Sequence, residues 1–217
     1  MPKPTFFNLS EDKRQRVADA AIDEFASNSF QNAGVNRIVE AAGIAKGSFY
    51  QYFTDKEDLF RYIMEVIGER KMEYLQDLLQ NLHHLSFFEI MTALFAGGIQ
   101  FSMDNPKLAA IGNRFIKDYD PVFKERILGE MAPKSNMFLE QLVQEGMRKG
   151  ELNPDLDVQF TAFLLTHISI ATAEYYQSEV GDESYATFMP YVEEVLKMLR
   201  FGIQKSEREQ NEQSRFG

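Results

Sequence analysis

The sequence predicts an all-α protein with an N-terminal three-helix helix-turn-helix head and a larger helical body. Apolar residues recur at helical spacing along most of the 217 residues, and no segment shows the strict alternation of a half-buried strand. Residues that end helices, such as Gly and Pro, separate these segments. We expect the head over residues 1–54, the body over residues 55–205 and a polar tail over residues 206–217.

The first helix of the head is predicted to begin after Ser10. Serine is a good N-cap residue, and Glu11 and Asp12 place negative charge in the first turn, at the positive end of the helix dipole. The helix should end before the polar loop at residues 28–34. Its buried stripe is predicted to consist of Ala18, Ala21, Ile22 and Phe25.

Residues 35–53 predict two short helices joined at Gly43. The first has an apolar face, and Gly43 supplies the positive φ that a tight turn between helices needs. In the second helix, Phe49 and Phe53 lie four residues apart and are expected in the core, while the opposite face is polar, aromatic and cationic. This is the pattern of a DNA-binding helix-turn-helix motif, whose second helix enters the major groove.

The run from Ala42 to Phe53, followed by Lys56-Glu57-Asp58-Leu59, resembles the N-terminal domain of the TetR family of bacterial transcriptional regulators. The resemblance covers about residues 10–60. Its Lys-Gly, Tyr-x-x-Phe and Lys-x-x-Leu elements all fall in register, whereas Asn36, Val39 and Ala45 depart from the residues common in that family. The resemblance implies a sequence-specific, homodimeric repressor that a small-molecule effector releases from double-stranded operator DNA.

DNA contacts are expected from both helices of the motif and from the start of the next one. The matching family positions imply phosphate contacts by Tyr50 and Lys56, and Gly47 allows close approach to the DNA backbone. Ser48, Gln51 and Tyr52 are candidates for base or sugar contacts. The full predicted set is Arg37, Lys46, Gly47, Ser48, Tyr50, Gln51, Tyr52 and Lys56.

The formal net charge of −10 belongs mainly to the body, because the head carries nearly equal numbers of cationic and acidic residues. DNA affinity must therefore come from a local cationic patch, and repulsion should orient the acidic body away from the duplex. Candidates for this patch beyond the motif itself are Lys3, Lys13 and Arg14.

The body is predicted to consist of helices throughout. Its first helix should follow a capping box formed by Thr54 and Glu57, and should connect the head to the body. The predicted body helices are Asp55 to about Leu82, Ser86–Met103, Pro106–Asp118, a short one from Asp120-Pro121 to about Gly129, Pro133–Lys149, Asp157–Glu179 and Glu183–Lys205.

Two of these helices carry apolar stripes that predict a homodimer through a four-helix interface. The alternative is that both stripes face their own core. The candidate interface residues are Phe160, Phe163, Leu164, Ile168 and Tyr175 on the penultimate helix, and Phe188, Val192, Val195 and Leu199 on the last helix.

An effector pocket in the body is implied by the family resemblance, with core packing as the alternative for each residue. The candidates are Phe95, Phe101, Met103, Phe115, Phe123, Met137, Phe138 and His167. The chemistry of the effector, the operator sequence and the choice between repressor and activator are not specified by the sequence.

A catalytic function is not expected. The chain has no cysteine, the adjacent His83 and His84 point to different helix faces, and no phosphate-binding loop or nucleophile motif stands out. We expect no metal and no cofactor, no membrane partner and a cytoplasmic protein. The rival to a DNA-binding regulator is a helical ligand- or protein-binding module whose head no longer binds DNA, and an activator would use the same head.

Overall fold

The computed structural model describes residues 2–81, 84–128, 131–180 and 185–201. Within these ranges the regular elements are helices and no strand occurs, which confirms the all-α prediction. His83 and the predicted polar tail lie outside the described residues. No helix in the described ranges is long and apolar enough to cross a membrane.

Twelve helices and one π-helical turn follow one another along the described ranges. They are α1 (Pro4–Phe7), α2 (Glu11–Ser27), α3 (Val35–Ala41), α4 (Lys46–Tyr52), α5 (Lys56–Tyr74), α6 (Gln76–Asn81), α7 (Phe87–Asp104), α8 (Pro106–Asp118), α9 (Pro121–Leu128), α10 (Met131–Arg148), α11 (Val158–Tyr175), the π turn (Tyr176–Val180) and α12 (Tyr185–Phe201).

The α3–α4 turn has the conformation that the sequence predicts. Gly43 has a φ of +66°, and its N–H donates to the carbonyl of Glu40 at 3.1 Å. The N–H of Ile44 donates to the carbonyl of Val39 at 3.0 Å. These two bonds form a Schellman motif, which satisfies the last carbonyls of α3 and turns the chain into α4.

The predicted capping box at the start of α5 is wrong by one residue. The N-cap is Asp55, whose carboxylate accepts from the N–H of Asp58 at 2.8 Å, while the Asp58 carboxylate accepts from the N–H of Thr54 at 3.0 Å. Aspartate competes well with threonine for this position because its charged oxygen also favours the positive end of the helix dipole.

The connector expected to run unbroken to about Leu82 is interrupted at Leu75, which separates α5 from α6. The break lies where α7 approaches most closely. A Cβ atom at Gly97 would lie 2.9 Å from the Leu75 side chain and 3.4 Å from the carbonyl oxygen of Tyr74, so the packing at this point requires glycine in α7.

The buried apolar residues form two clusters, and the boundary predicted at residue 54 does not separate them. We call the cluster that contains the core of the head the upper cluster, and the other one the lower cluster. The upper cluster joins the core of the head to side chains of α5, α7, α8 and α9, including Phe60, Phe101, Phe115 and Phe123. The lower cluster lies between α7, α10, α11 and α12. The head therefore shares its core with the upper part of the body.

Arg114 of α8 adds a polar link between the body and the head. Its guanidinium donates to the carbonyls of Phe25 and Asn28 at 2.8 and 2.9 Å, and to the carbonyl of Ala26 at 3.1 Å. These carbonyls lie at the end of α2, which lacks intrahelical donors for them. The body thus caps the first long helix of the head.

Candidate nucleic-acid interface

The exposed face of α4 carries most of the predicted DNA contacts. Lys46, Gly47, Tyr50 and Gln51 are exposed and Ser48 is half-buried. The opposite face holds α4 in the upper cluster through Phe49, which is fully buried as expected, like Phe53 beyond the helix end. The Tyr50 ring stands edge-on to Phe49 at 5.2 Å and remains 47% exposed, and its contact with a phosphate stays a prediction.

Tyr52 does not belong to this exposed face. Only 6% of its surface is accessible, and its ring packs 6.2 Å from the ring of Phe6. This burial was not expected, and a base or sugar contact by Tyr52 stays a prediction. The sequence could not indicate the burial, because the residue that covers the ring comes from α1, a one-turn helix that the apolar pattern did not predict.

Arg37 is exposed at the start of α3, but an acidic residue of α2 already pairs with it. Its Nε donates to the two carboxylate oxygens of Glu24 at 2.9 and 3.0 Å, and an Nη atom donates to the carbonyl of Asn32 at 2.7 Å. Hydrogen bonds from Arg37 lower the pKa of Glu24. A DNA contact by Arg37 stays a prediction, and it would have to share the guanidinium with Glu24.

Lys56 faces the loop between α2 and α3 instead of open solvent. Its ammonium donates to the carbonyls of Phe30 and Ala33 at 2.5 and 2.8 Å and lies 4.6 Å from the centre of the Phe30 ring. Burial lowers the pKa of Lys56. Since the N–H of Phe30 donates to the hydroxyl of Tyr119 at 2.6 Å, the loop is fixed both from α5 and from the body.

The predicted effector residues are divided between the two buried clusters and the surface. Phe101, Phe115 and Phe123 are buried in the upper cluster, whereas Phe95 is buried in the lower cluster and Met103 packs against it. These five residues are therefore packed in or against the two buried clusters, and their role as effector contacts stays a prediction.

The other three effector candidates lie on the surface or near it. Met137 is 49% exposed. His167 is exposed on α11, where its ring lies 4.0 Å from the ring of Phe163. Phe138 lines an open groove of about 620 Å³ together with Ile90 and Leu142.

The two apolar stripes predicted for the dimer interface differ in their exposure. On α11 the side chains of Phe160, Phe163, Leu164 and Tyr175 are 59%, 55%, 40% and 56% exposed, and Ile168 is half-buried. On α12 the predicted stripe turns inward. Phe188 and Val192 are buried in the lower cluster, and Val195 and Leu199 pack against it.

Phe188 and Val192 therefore face the protein's own core, as the alternative interpretation of this stripe expected, whereas an interface contact by the half-buried Val195 and Leu199 stays a prediction. The outer face of α12 carries Met198 and Phe201 instead, which are 39% and 72% exposed. The sequence contained a weak signal for this face, since Met198 and Phe201 lie three residues apart and therefore on one side of a helix. A stripe pattern cannot tell which of two apolar faces packs on the protein's own core.

An exposed recognition helix on a head that is continuous with an all-helical body defines a helix-turn-helix DNA-binding protein. Residues 17–63 match the family model described as bacterial regulatory proteins, tetR family. A TetR family transcriptional regulator from Chloroflexus aurantiacus is 32% identical, with a TM-score of 0.70, over 95% of this chain and all of that one. The chain belongs to the TetR family, and it is a DNA-binding transcriptional regulator.

Other relatives agree with this assignment. The transcriptional regulator UidR of Escherichia coli is 24% identical over 167 residues, which cover 72% of this chain and 77% of UidR. The regulator FadR from Bacillus subtilis, solved with stearoyl-CoA, is 20% identical, with a TM-score of 0.72, over 88% of this chain and 99% of FadR. The likeness to FadR shows a common fold. These relatives are transcriptional regulators, a class defined by DNA binding and not by catalysis.

Proposed function

We propose that the protein is a homodimeric repressor that leaves its operator when an effector binds the body. The observation that carries this proposal is the continuity of head and body. The upper cluster and the three hydrogen bonds of Arg114 join α8 directly to α2. A change in the packing of the body therefore has a physical route to the DNA-binding head.

The proposed dimer interface is the outer face of α11 and α12. Large apolar side chains at this density are unusual on the surface of a monomer and are typical of a protein–protein interface. Two copies of the pair would form a four-helix interface around a twofold axis. The two recognition helices would then read a pseudo-palindrome whose half-sites lie about one duplex turn apart or slightly more.

The proposed effector is an amphipathic molecule with an apolar chain. The groove beside α10 supports this choice, because its wall combines apolar side chains such as Phe138 with Lys149. Arg148 also lines the groove, but it is paired with Glu145 of the same wall, which leaves Lys149 as the cation offered to an anionic group. The stearoyl-CoA bound by FadR would be complementary to such a wall, because it has a long apolar chain and an anionic head group. An effector shifts the equilibrium only if it binds the DNA-free state more tightly than the DNA-bound state.

Fluorescence anisotropy with the upstream DNA of the protein's own gene, a scrambled duplex and a salt series tests the DNA-binding part. We expect tight, sequence-dependent binding with a steep salt slope. Fatty acyl-CoA and free fatty acid of equal chain length are then titrated into the complex. Loss of signal with one of them supports release by an amphipathic effector, and unchanged binding at saturation with both rules out that class.

The dimer is tested separately by sedimentation of Phe163→Asp and of a matched control, Glu193→Asp, at an exposed polar position of α12. A charge at the interface should yield monomers and weaken operator binding, because each head would then bind a half-site alone. A Phe163→Asp protein that sediments like the control would refute this interface. Mapping the operator relative to the promoter separates a repressor from an activator.

A further inference from the structure

The segment before α2 lies against the end of the recognition helix. The backbone N–H of Lys3 donates to the carbonyl of Tyr52 at 2.7 Å, and its ammonium donates to the carbonyl of Tyr50 at 2.8 Å. The hydroxyl of Thr5 donates to the carbonyl of Gln51. Three successive carbonyls of α4 are thus bound by two residues that are distant in sequence.

These three carbonyls are the ones that α4 cannot satisfy by itself. A helix leaves its last four carbonyls without an intrahelical donor beyond its end. In α4 the first of the four, that of Phe49, accepts from the N–H of Phe53 at 2.8 Å, and the segment before α2 supplies donors to the other three. The helix has only seven residues, and Ala45 makes no side-chain cap at its start. Its order therefore depends on contacts from outside.

The segment is itself firmly anchored. Phe6 has no exposed surface and packs 4.8 Å from the ring of Phe53 and 5.1 Å from the ring of Tyr62. The guanidinium of Arg14 donates to the carbonyl of Phe7 at 3.0 Å. Burial of Phe6 holds Lys3 and Thr5 in register with the carbonyls that they bind.

The charge of Lys3 suits this position. The carbonyl end of a helix carries a partial negative charge, which a nearby ammonium stabilises. The Lys3 ammonium is bound to the carbonyl of Tyr50 and therefore acts on the end of the helix. The side chains of Tyr50 and Gln51 leave the same last turn on its exposed face.

We propose that residues 2–7 form a C-terminal cap of the recognition helix and that Lys3 and Thr5 are positioning residues for operator binding. The inference rests on the DNA-binding function of the head. The cap keeps the last turn of α4 helical in the free protein, so that Tyr50 and Gln51 are already placed when the duplex arrives. Without the cap, binding has to order this turn and affinity falls.

The test uses the full chain with any purification tag at its C-terminus. Thr5→Val removes the hydroxyl but keeps the shape, and Thr5→Ser restores the hydroxyl. We expect Thr5→Val to weaken operator binding about 2- to 12-fold per half-site, the range set by one hydrogen bond, and Thr5→Ser to bind like wild type. Hydrogen exchange of the free protein should be faster at amides 49–53 in Thr5→Val and not in Thr5→Ser, and the Tm of Thr5→Val should fall by no more than about 6 °C, which shows that the rest of the fold is intact.

Lys3→Met separates a cap from a direct DNA contact. A lost phosphate contact lowers the salt slope by about one per half-site, whereas a lost cap lowers affinity with the slope unchanged. A reduced slope with wild-type exchange at amides 49–53 would overturn the proposal, and so would wild-type affinity and exchange in both variants. Since exchange is measured without DNA, the cap is tested even if no operator is found.

Discussion

Replacing Arg114 with methionine should loosen the head from the body. The substitution keeps the apolar stem of the side chain and removes all three donors to the carbonyls of Phe25, Ala26 and Asn28. These carbonyls are part-buried at the end of α2, where water replaces the guanidinium only incompletely. We expect a lower free energy of unfolding and a smaller effect of the effector on DNA binding.

The size of the effect follows from the number of hydrogen bonds. A hydrogen bond to a charged group contributes about 1.5–3 kcal/mol. The three bonds of Arg114 share one donor group and one loss of side-chain entropy, so we expect a total of about 2–4 kcal/mol. In a protein of this length, this corresponds to a fall in Tm of about 5–15 °C.

Urea unfolding at fixed protomer concentration measures the loss, since dissociation of a dimer would otherwise contribute. Arg114→Lys should be intermediate, because one ammonium cannot reach three carbonyls with the same geometry. The control is Arg70→Met, which removes an exposed arginine paired with Glu73 and should cost less than about 0.5 kcal/mol. The reasoning would be refuted if the Arg114→Met protein were as stable as this control and the effector still released it completely from operator DNA.

Four further substitutions probe the head. Gly43→Ala should lower the free energy of unfolding by about 1–2 kcal/mol in urea, because Gly43 has a φ of +66°. Gly47→Ala lies at a helical position with open space around it, so it should keep the stability of the protein and weaken operator binding. Lys56→Met should cost about 1–2 kcal/mol and leave the salt slope of DNA binding unchanged; a slope reduced by about one at unchanged stability would instead identify a phosphate contact. Glu24→Gln should be less stable than wild type at pH 7, because the Arg37 hydrogen bonds lower the pKa of Glu24 and the charged form stabilises the fold. This difference in stability between Glu24→Gln and wild type should be present above the ordinary glutamate pKa of about 4.3 and should vanish as pH falls through the lowered pKa of the folded state. A difference in stability that does not change with pH would contradict the prediction.

The sequence by itself determined the helical class, the turn at Gly43 and the motif that marks a DNA-binding head. These are local properties: apolar spacing selects a helix, and a positive φ selects glycine. The bounds of α8 are also local, since Pro106 begins the helix and Asp118 ends it in the structure as in the prediction.

Only the tertiary structure decided which apolar and cationic residues are free. Tyr52 is covered by α1, Phe188 and Val192 turn toward the lower cluster, and Lys56 binds loop carbonyls. Each outcome depends on a partner far away in the sequence, and helical spacing carries no information about that partner. The cap of α4 by Lys3 and Thr5 is the same kind of fact, since 46 and 47 residues separate the donors from their carbonyls.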